Sequence, residues 1–139
     1  MIGVHRVDIA LLRAAWWTLH AVRRTRRRLA RLGFDAALEV PLPPRLPRKA
    51  LRGVNAAMRY LGTSCLERAI VLQAWHGAQG DNRDLIIGVS SRQEGFRAHA
   101  WIDGEEPWHT PTAYYELLRR PSLRDAPPPN DGIFIEQVE

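Results

Sequence analysis

Two side chains in this sequence have the types and placement for covalent chemistry: its one cysteine, Cys65, and a histidine, His99. A lone cysteine is most often a buried small hydrophobe. It forms no intramolecular disulfide, so bridges set no redox compartment. Cys65 follows Thr63 and Ser64, and Glu67 stands three residues after Ser64, the capping-box pattern of a helix start. That puts Cys65 in a first helical turn, where unpaired backbone N–H groups and the positive dipole end stabilise a thiolate. His99 falls in Phe96–Ile102, an apolar run that reads as a strand, with the small side chains Ala98 and Ala100 leaving its ring accessible. A helix-start cysteine packed on a sheet that carries a histidine is the arrangement of a thiolate–imidazolium pair, Cys65 as nucleophile and His99 as base.

The other chemically capable residues have simpler readings. His5, His20 and His76 show no metal-ligand spacing with one another or with Cys65, so neither a metal nor any other cofactor is expected. His76 is expected to sit at a helix C-terminus, where the dipole favours it. Trp16, Trp17 and Trp75 are read as core or helix packing. Glu67 and Arg68 either contact a substrate or form a surface pair. No spacing makes Gln73 an oxyanion residue, and Gly62, Gly77 and Gly80 match no phosphate loop.

Positioning Cys65 and His99 requires several elements. Residues 6–32 lack Pro and Gly and carry apolar side chains at helical spacing (Leu11, Ala14, Thr18, Val22, Leu29), so one long or two abutting helices are expected, capped by Gly33, with Asp8 in the first turn. Pro41, Pro43, Pro44 and Pro47 make an extended connector. A second helix is predicted from Pro47 or Arg48 to Tyr60, and the Cys65 helix from Ser64 to Gly77. Leu85–Val89 and Phe96–Ile102 read as strands separated by a loop over Ser90–Gly95, and Asp103-Gly104 as a hairpin turn leading to a third strand through Pro107 to Thr110. A short helix from Thr112 or Ala113 to Arg119 and an edge strand at Ile133–Ile135 complete the reading. Helices first and an antiparallel meander afterwards is α+β. The chain divides into a basic helical segment with its connector (1–48), a catalytic core (49–121) and a Pro-rich tail (122–139).

At 139 residues and 45% apolar content the chain supports one domain with a real core. Its 20 Lys+Arg exceed its 15 Asp+Glu, and six arginines fall between Arg23 and Arg31. A solvated helix end is the plain reading of that run. Nucleic acid, lipid headgroups or a partner protein are the others, and nucleic-acid binding rests on the run alone. The apolar stretch Ile9–Val22 is interrupted by Arg13 and His20 and is too short to span a bilayer. It has no small-residue cleavage site, so a cytoplasmic protein is expected.

Three segments taken together, Thr63-Ser64-Cys65-Leu66-Glu67-Arg68-Ala69, Leu85-Ile86-Ile87-Gly88-Val89 and Phe96-Arg97-Ala98-His99-Ala100-Trp101-Ile102, resemble the lasso-peptide leader peptidases. These are cysteine proteases of the transglutaminase-like (papain-like) fold that remove the leader from a ribosomally made precursor. The resemblance runs from about Val54 to Pro121. It implies N-terminal helices followed by a Cys-bearing helix on a small antiparallel sheet, with Cys65 as nucleophile and His99 as base. It also implies three partners: the precursor leader, a separate leader-recognition protein and a lasso cyclase. The family places an acid just ahead of a proline on the strand after the histidine. Here that stretch reads Pro107-Trp108-His109-Thr110-Pro111. A hairpin loop of Asp103-Gly104-Glu105 puts His109 opposite His99, and a loop one residue longer puts Thr110 there. Asp103, the nearest acid, is expected at the turn. A non-catalytic scaffold of the same fold, binding leader or cyclase, is the alternative.

Overall fold

The structure is a computed structural model that describes residues 8–92, 95–105 and 115–122. The first helix, α1 (Ile9–Arg31), is continuous. Asp8 lies just outside it as the N-cap rather than in its first turn: its carboxylate accepts from Ala10 N at 3.0 Å and pairs with Lys49 at 2.8 Å. A cap carboxylate takes up an N–H that the helix itself cannot satisfy. Ala14, Trp17, Thr18, Ala21, Val22 and Thr25 form the buried stripe. A single turn, α2 (Phe34–Ala37), follows Gly33, and the Pro-rich connector then runs extended to a 3-10 turn at Arg48–Ala50. Two side chains hold the connector: Trp17 Nε1 donates to Pro41 O at 3.1 Å, and the Gln79 amide bonds Pro44 O at 2.9 Å and Leu46 N at 3.1 Å. Backbone polar groups that proline prevents from joining a helix are satisfied in this way.

Helix α3 (Leu51–Leu61) ends at Gly62, whose φ of 59° is the left-handed C-cap conformation. It crosses α1 at Gly53, where an added Cβ would overlap the backbone carbonyl of Leu11. The next helix, α4 (Cys65–Ala78), begins after the Ser64 cap and runs one residue beyond Gly77.

The sheet has three antiparallel strands, β1 (Leu85–Arg92), β2 (Gly95–Ile102) and β3 (Tyr115–Arg120), in the order β2-β1-β3. Both β1 and β2 extend through the region expected to be a loop, pairing as far as Arg92 with Gly95. The segment expected as a helix up to Arg119 is instead a strand from Tyr115. Its Glu, Leu and Arg residues favour helix intrinsically, but it pairs with the central strand β1, with a register shift at Ile87/Gly88. Non-local pairing overrides local propensity here. Its side chains also find partners: Arg119 bonds Asp84 at 2.9 Å, and Arg120 pairs with Asp35 and lies 5.9 Å from the Phe34 ring centroid. The expected strand at 107–110 and edge strand at 133–135 lie outside the described residues.

One apolar cluster joins the layers. Ala14, Trp17 and Val22 of α1 meet Val54 of α3, Ile70, Leu72 and Trp75 of α4, and Leu85, Ala100 and Ile102 of the sheet. The architecture is α+β, as the element order predicts. No helix among the described residues is long and apolar enough to cross a membrane.

Candidate active site

Ser64 Oγ accepts from Glu67 N at 3.2 Å, so the helix start read from the sequence is formed and Cys65 occupies its first position. The Glu67 carboxylate does not fold into a surface pair with its neighbour Arg68. It is held by Arg26 of α1, Nε to Oε2 2.6 Å, and Arg26 also donates to Leu61 O at 2.8 Å and Gly62 O at 3.2 Å. One guanidinium therefore ties α1 to both sides of the α3–α4 elbow. Its planar fork of donors suits such a multiple contact. Cys65 is half-buried against the helical core.

Helix α4 packs chiefly along β2, an edge strand of the described sheet. Along β2 the side chains alternate. Ala100 and Ile102 enter the core with Leu85 and Ile87, so His99 and Trp101 stand on the other face, where their cross-strand partners are Gly88 and Ile86. Gly88 is what makes room there: a Cβ on it would lie 2.7 Å from the Trp101 ring and 3.1 Å from Tyr115 O. The Trp101 indole stacks on His99 with centroids 5.9 Å apart and planes at 21°. Burial, and then the positive charge of Arg68, push the His99 imidazole below its ordinary value. Arg68 lies one turn after Cys65 on the same side of α4, and its guanidinium pairs with Glu105 at 3.3 Å just past the end of β2. The Arg68 guanidinium of α4 thus lies within electrostatic reach of His99, and that environment favours a neutral imidazole, the form that accepts a proton.

A family model described as the transglutaminase-like superfamily matches residues 5–119. The chain belongs to the transglutaminase-like superfamily. No curated protein and no solved structure matches it. The superfamily includes cysteine proteases, and the match covers both Cys65 and His99.

Within this superfamily fold the remaining residues singled out in the sequence fall as follows. Asp103 is in the turn that ends β2, next to Gly104 (φ 88°), with its carboxylate exposed and 3.6 Å from Arg119. His109 and Thr110 lie outside the described residues. Gln73 donates to Arg83 O and Arg120 O, each at 3.0 Å, and so bridges α4 to the strands. His76 is near the α4 C-terminus, with Nε2 buried and unbonded among the described residues and Nδ1 3.8 Å from Asp81. Trp75 and Trp17 pack together, centroids 5.6 Å apart, but Trp16 is 66% exposed rather than packed in the core. Among the described residues no group of three or more His, Cys, Asp and Glu side chains is placed to hold a metal ion.

Four contributors were not anticipated. Gly88 and Trp101 shape the surroundings of His99, and a glycine inside an apolar strand is the signal for such a close approach. Glu116 takes the register position across from Gly88, in the cross-strand row of His99, although its carboxylate is bound by Arg119 at 2.8 Å. Arg26 had no local signal to separate it from the other arginines of the run.

Proposed function

We propose that this protein is a cysteine protease that removes the leader from a ribosomally synthesised lasso-peptide precursor. The observation that carries the reading is Cys65 as the opening residue of a capped helix that lies along the strand of His99, in a superfamily that includes cysteine proteases. The leader-peptidase assignment rests on the resemblance of the Cys65, Gly88 and His99 segments. In the first step His99 accepts the thiol proton as Cys65 sulfur bonds the scissile carbonyl carbon. The backbone N–H of Cys65, at the helix start, faces the developing oxyanion. His99 then donates the proton to the leaving amine, the C–N bond breaks and a thioester remains. Water, deprotonated by His99, attacks the thioester, releases the acid product and returns the proton to sulfur.

On this reading the protein acts in the cytoplasm with a separate leader-recognition protein and hands the trimmed peptide to a lasso cyclase. The test is cleavage of a lasso-peptide precursor supplied with its recognition protein. Cys65→Ala should abolish cleavage, and undiminished cleavage would overturn the assignment. A scaffold of the same fold that binds leader or cyclase is the second reading. It draws on the burial and the Arg68 charge that oppose an imidazolium at His99. Iodoacetamide labelling separates the two: a scaffold thiol alkylates with the pH dependence of free cysteine, with no change on His99→Ala.

A further inference from the structure

The outward face of α1 carries two groups that take no part in the packing of the described residues. In its N-terminal half Ile9, Leu12 and Trp16 are 72, 56 and 66% exposed, with exposed Arg13 the one charged side chain among them. In its C-terminal half Arg23, Arg24, Arg27 and Arg31 are exposed and make no hydrogen bond or ion pair among the described residues. At about 100° per residue these side chains project into one continuous sector of the helix. His20 joins the halves, its ring set edge-on to Trp16 at 4.7 Å. Stability does not account for the basic half. Arg23, Arg27 and Arg31 stack at intervals of four, an arrangement that destabilises a helix through like-charge repulsion. The two arginines that serve the fold point elsewhere, Arg26 to Glu67 and Arg28 to Glu39.

We propose that this stripe is a docking surface for an acidic polypeptide segment with an apolar anchor at one end. Its carboxylates would meet the arginine half and its anchor Trp16 and Leu12. Guanidinium forks match carboxylates in geometry, and tryptophan and arginine are the side chains that most often dominate protein interfaces. The separation of the two groups along the axis argues for this occupant. A bilayer surface is met by cations flanking an apolar face along its whole length, and a phosphate backbone by cations throughout. Here the large exposed apolar side chains stop at Trp16, with Arg13 the one cation among them, and exposed arginines continue to Arg31 along a stripe of about 33 Å, a pattern that a linear polypeptide of matching polarity reads. The proposal is independent of the cysteine protease reading, since none of these residues takes part in it.

The test is fluorescence anisotropy with the full chain carrying Cys65→Ala, so that catalysis has no bearing on the outcome. The probe is a labelled synthetic peptide with glutamates in one half and leucine and phenylalanine in the other. The controls are a peptide of the same composition with the two types interleaved, a single-stranded RNA, and vesicles of phosphatidylserine and phosphatidylcholine. The segregated peptide should bind tightest. Charge reversal at Arg24, Arg27 and Arg31 should weaken it at least tenfold, Trp16→Ala at least threefold, and the milder Arg27→Gln about twofold. Reversal of Arg48, Arg52 and Arg59, the same change in net charge on another part of the surface, should leave it within twofold. Equal binding of the interleaved peptide, tighter binding of RNA or vesicles, or indifference to the α1 substitutions overturns the proposal.

Discussion

Arg26 and Glu67 are 41 residues apart in sequence and 2.6 Å apart in the fold. Their contact fixes the last third of α1 against the first turn of the cysteine helix. Glu67 is nearly buried, so removing Arg26 leaves a carboxylate with lost hydrogen bonds. Because Arg26 is 38% exposed, solvent recovers part of the loss. Arg26→Ala should destabilise the protein by about 1–3 kcal/mol, read as a lower urea midpoint with an unchanged slope. Glu67→Gln should cost less, since the amide keeps one acceptor for Arg26.

The setting of His99 gives a pH prediction. Burial and the Arg68 charge both disfavour its protonated form, so the acid limb of activity should fall below the ordinary imidazole value. Arg68→Gln removes a positive charge and releases the Glu105 carboxylate. Both changes favour the imidazolium, so the acid limb should move to higher pH. An NMR titration of His99 in the two proteins measures the shift directly, and no upward movement would contradict the assignment of Arg68.

His76 predicts how stability follows pH. Burial chiefly, and Arg83 next, lower its pKa below 6.5, against the opposite pull of Asp81 and Glu105. The unfolded chain therefore binds the proton more readily than the folded one. The contribution of this group is fully present above the unfolded value and is lost as pH falls through the folded one. His76→Gln should flatten the fall in stability below pH 6.5, measured as urea midpoints across a pH series.

Gly88 links the sheet to His99 through Trp101. A methyl group placed 2.7 Å from the indole must displace it, because the Tyr115 carbonyl blocks the other side. Gly88→Ala should cost about 1–3 kcal/mol and should also disturb the imidazole that the indole stacks on. The check is the unfolding midpoint together with the cross-peaks of the His99 ring.

Much of the scaffold was legible because its signals are local. Ser64 and Glu67 mark the start of α4, Gly62 ends α3, and Leu85–Val89 reads as a strand from its apolar run. The third strand was not legible, since Tyr115–Arg120 has helix-favouring residues and owes its form to β1. The partner of Glu67 was hidden for the same reason: Arg68 is adjacent, whereas Arg26 comes close only in the folded chain. Trp16 and Trp17 show the limit of periodicity. Neighbours on a helix differ by about 100°, so one indole enters the core and the other faces solvent, and the sequence pattern does not say which. At the site itself, the helix start of Cys65 and the strand of His99 were readable, and the electrostatic setting made by Arg68, Glu105 and Trp101 was not.

At Gly53 backbone meets backbone, with no side chain between α3 and the Leu11 carbonyl. Most core contacts absorb a change by repacking the side chains around it, but this one has nothing to repack. The crossing of α1 over α3 is thus set by the shape of the chain and behaves as a rivet. Farther along α1, Arg26 and Glu67 tie the same helix to the one that begins with Cys65.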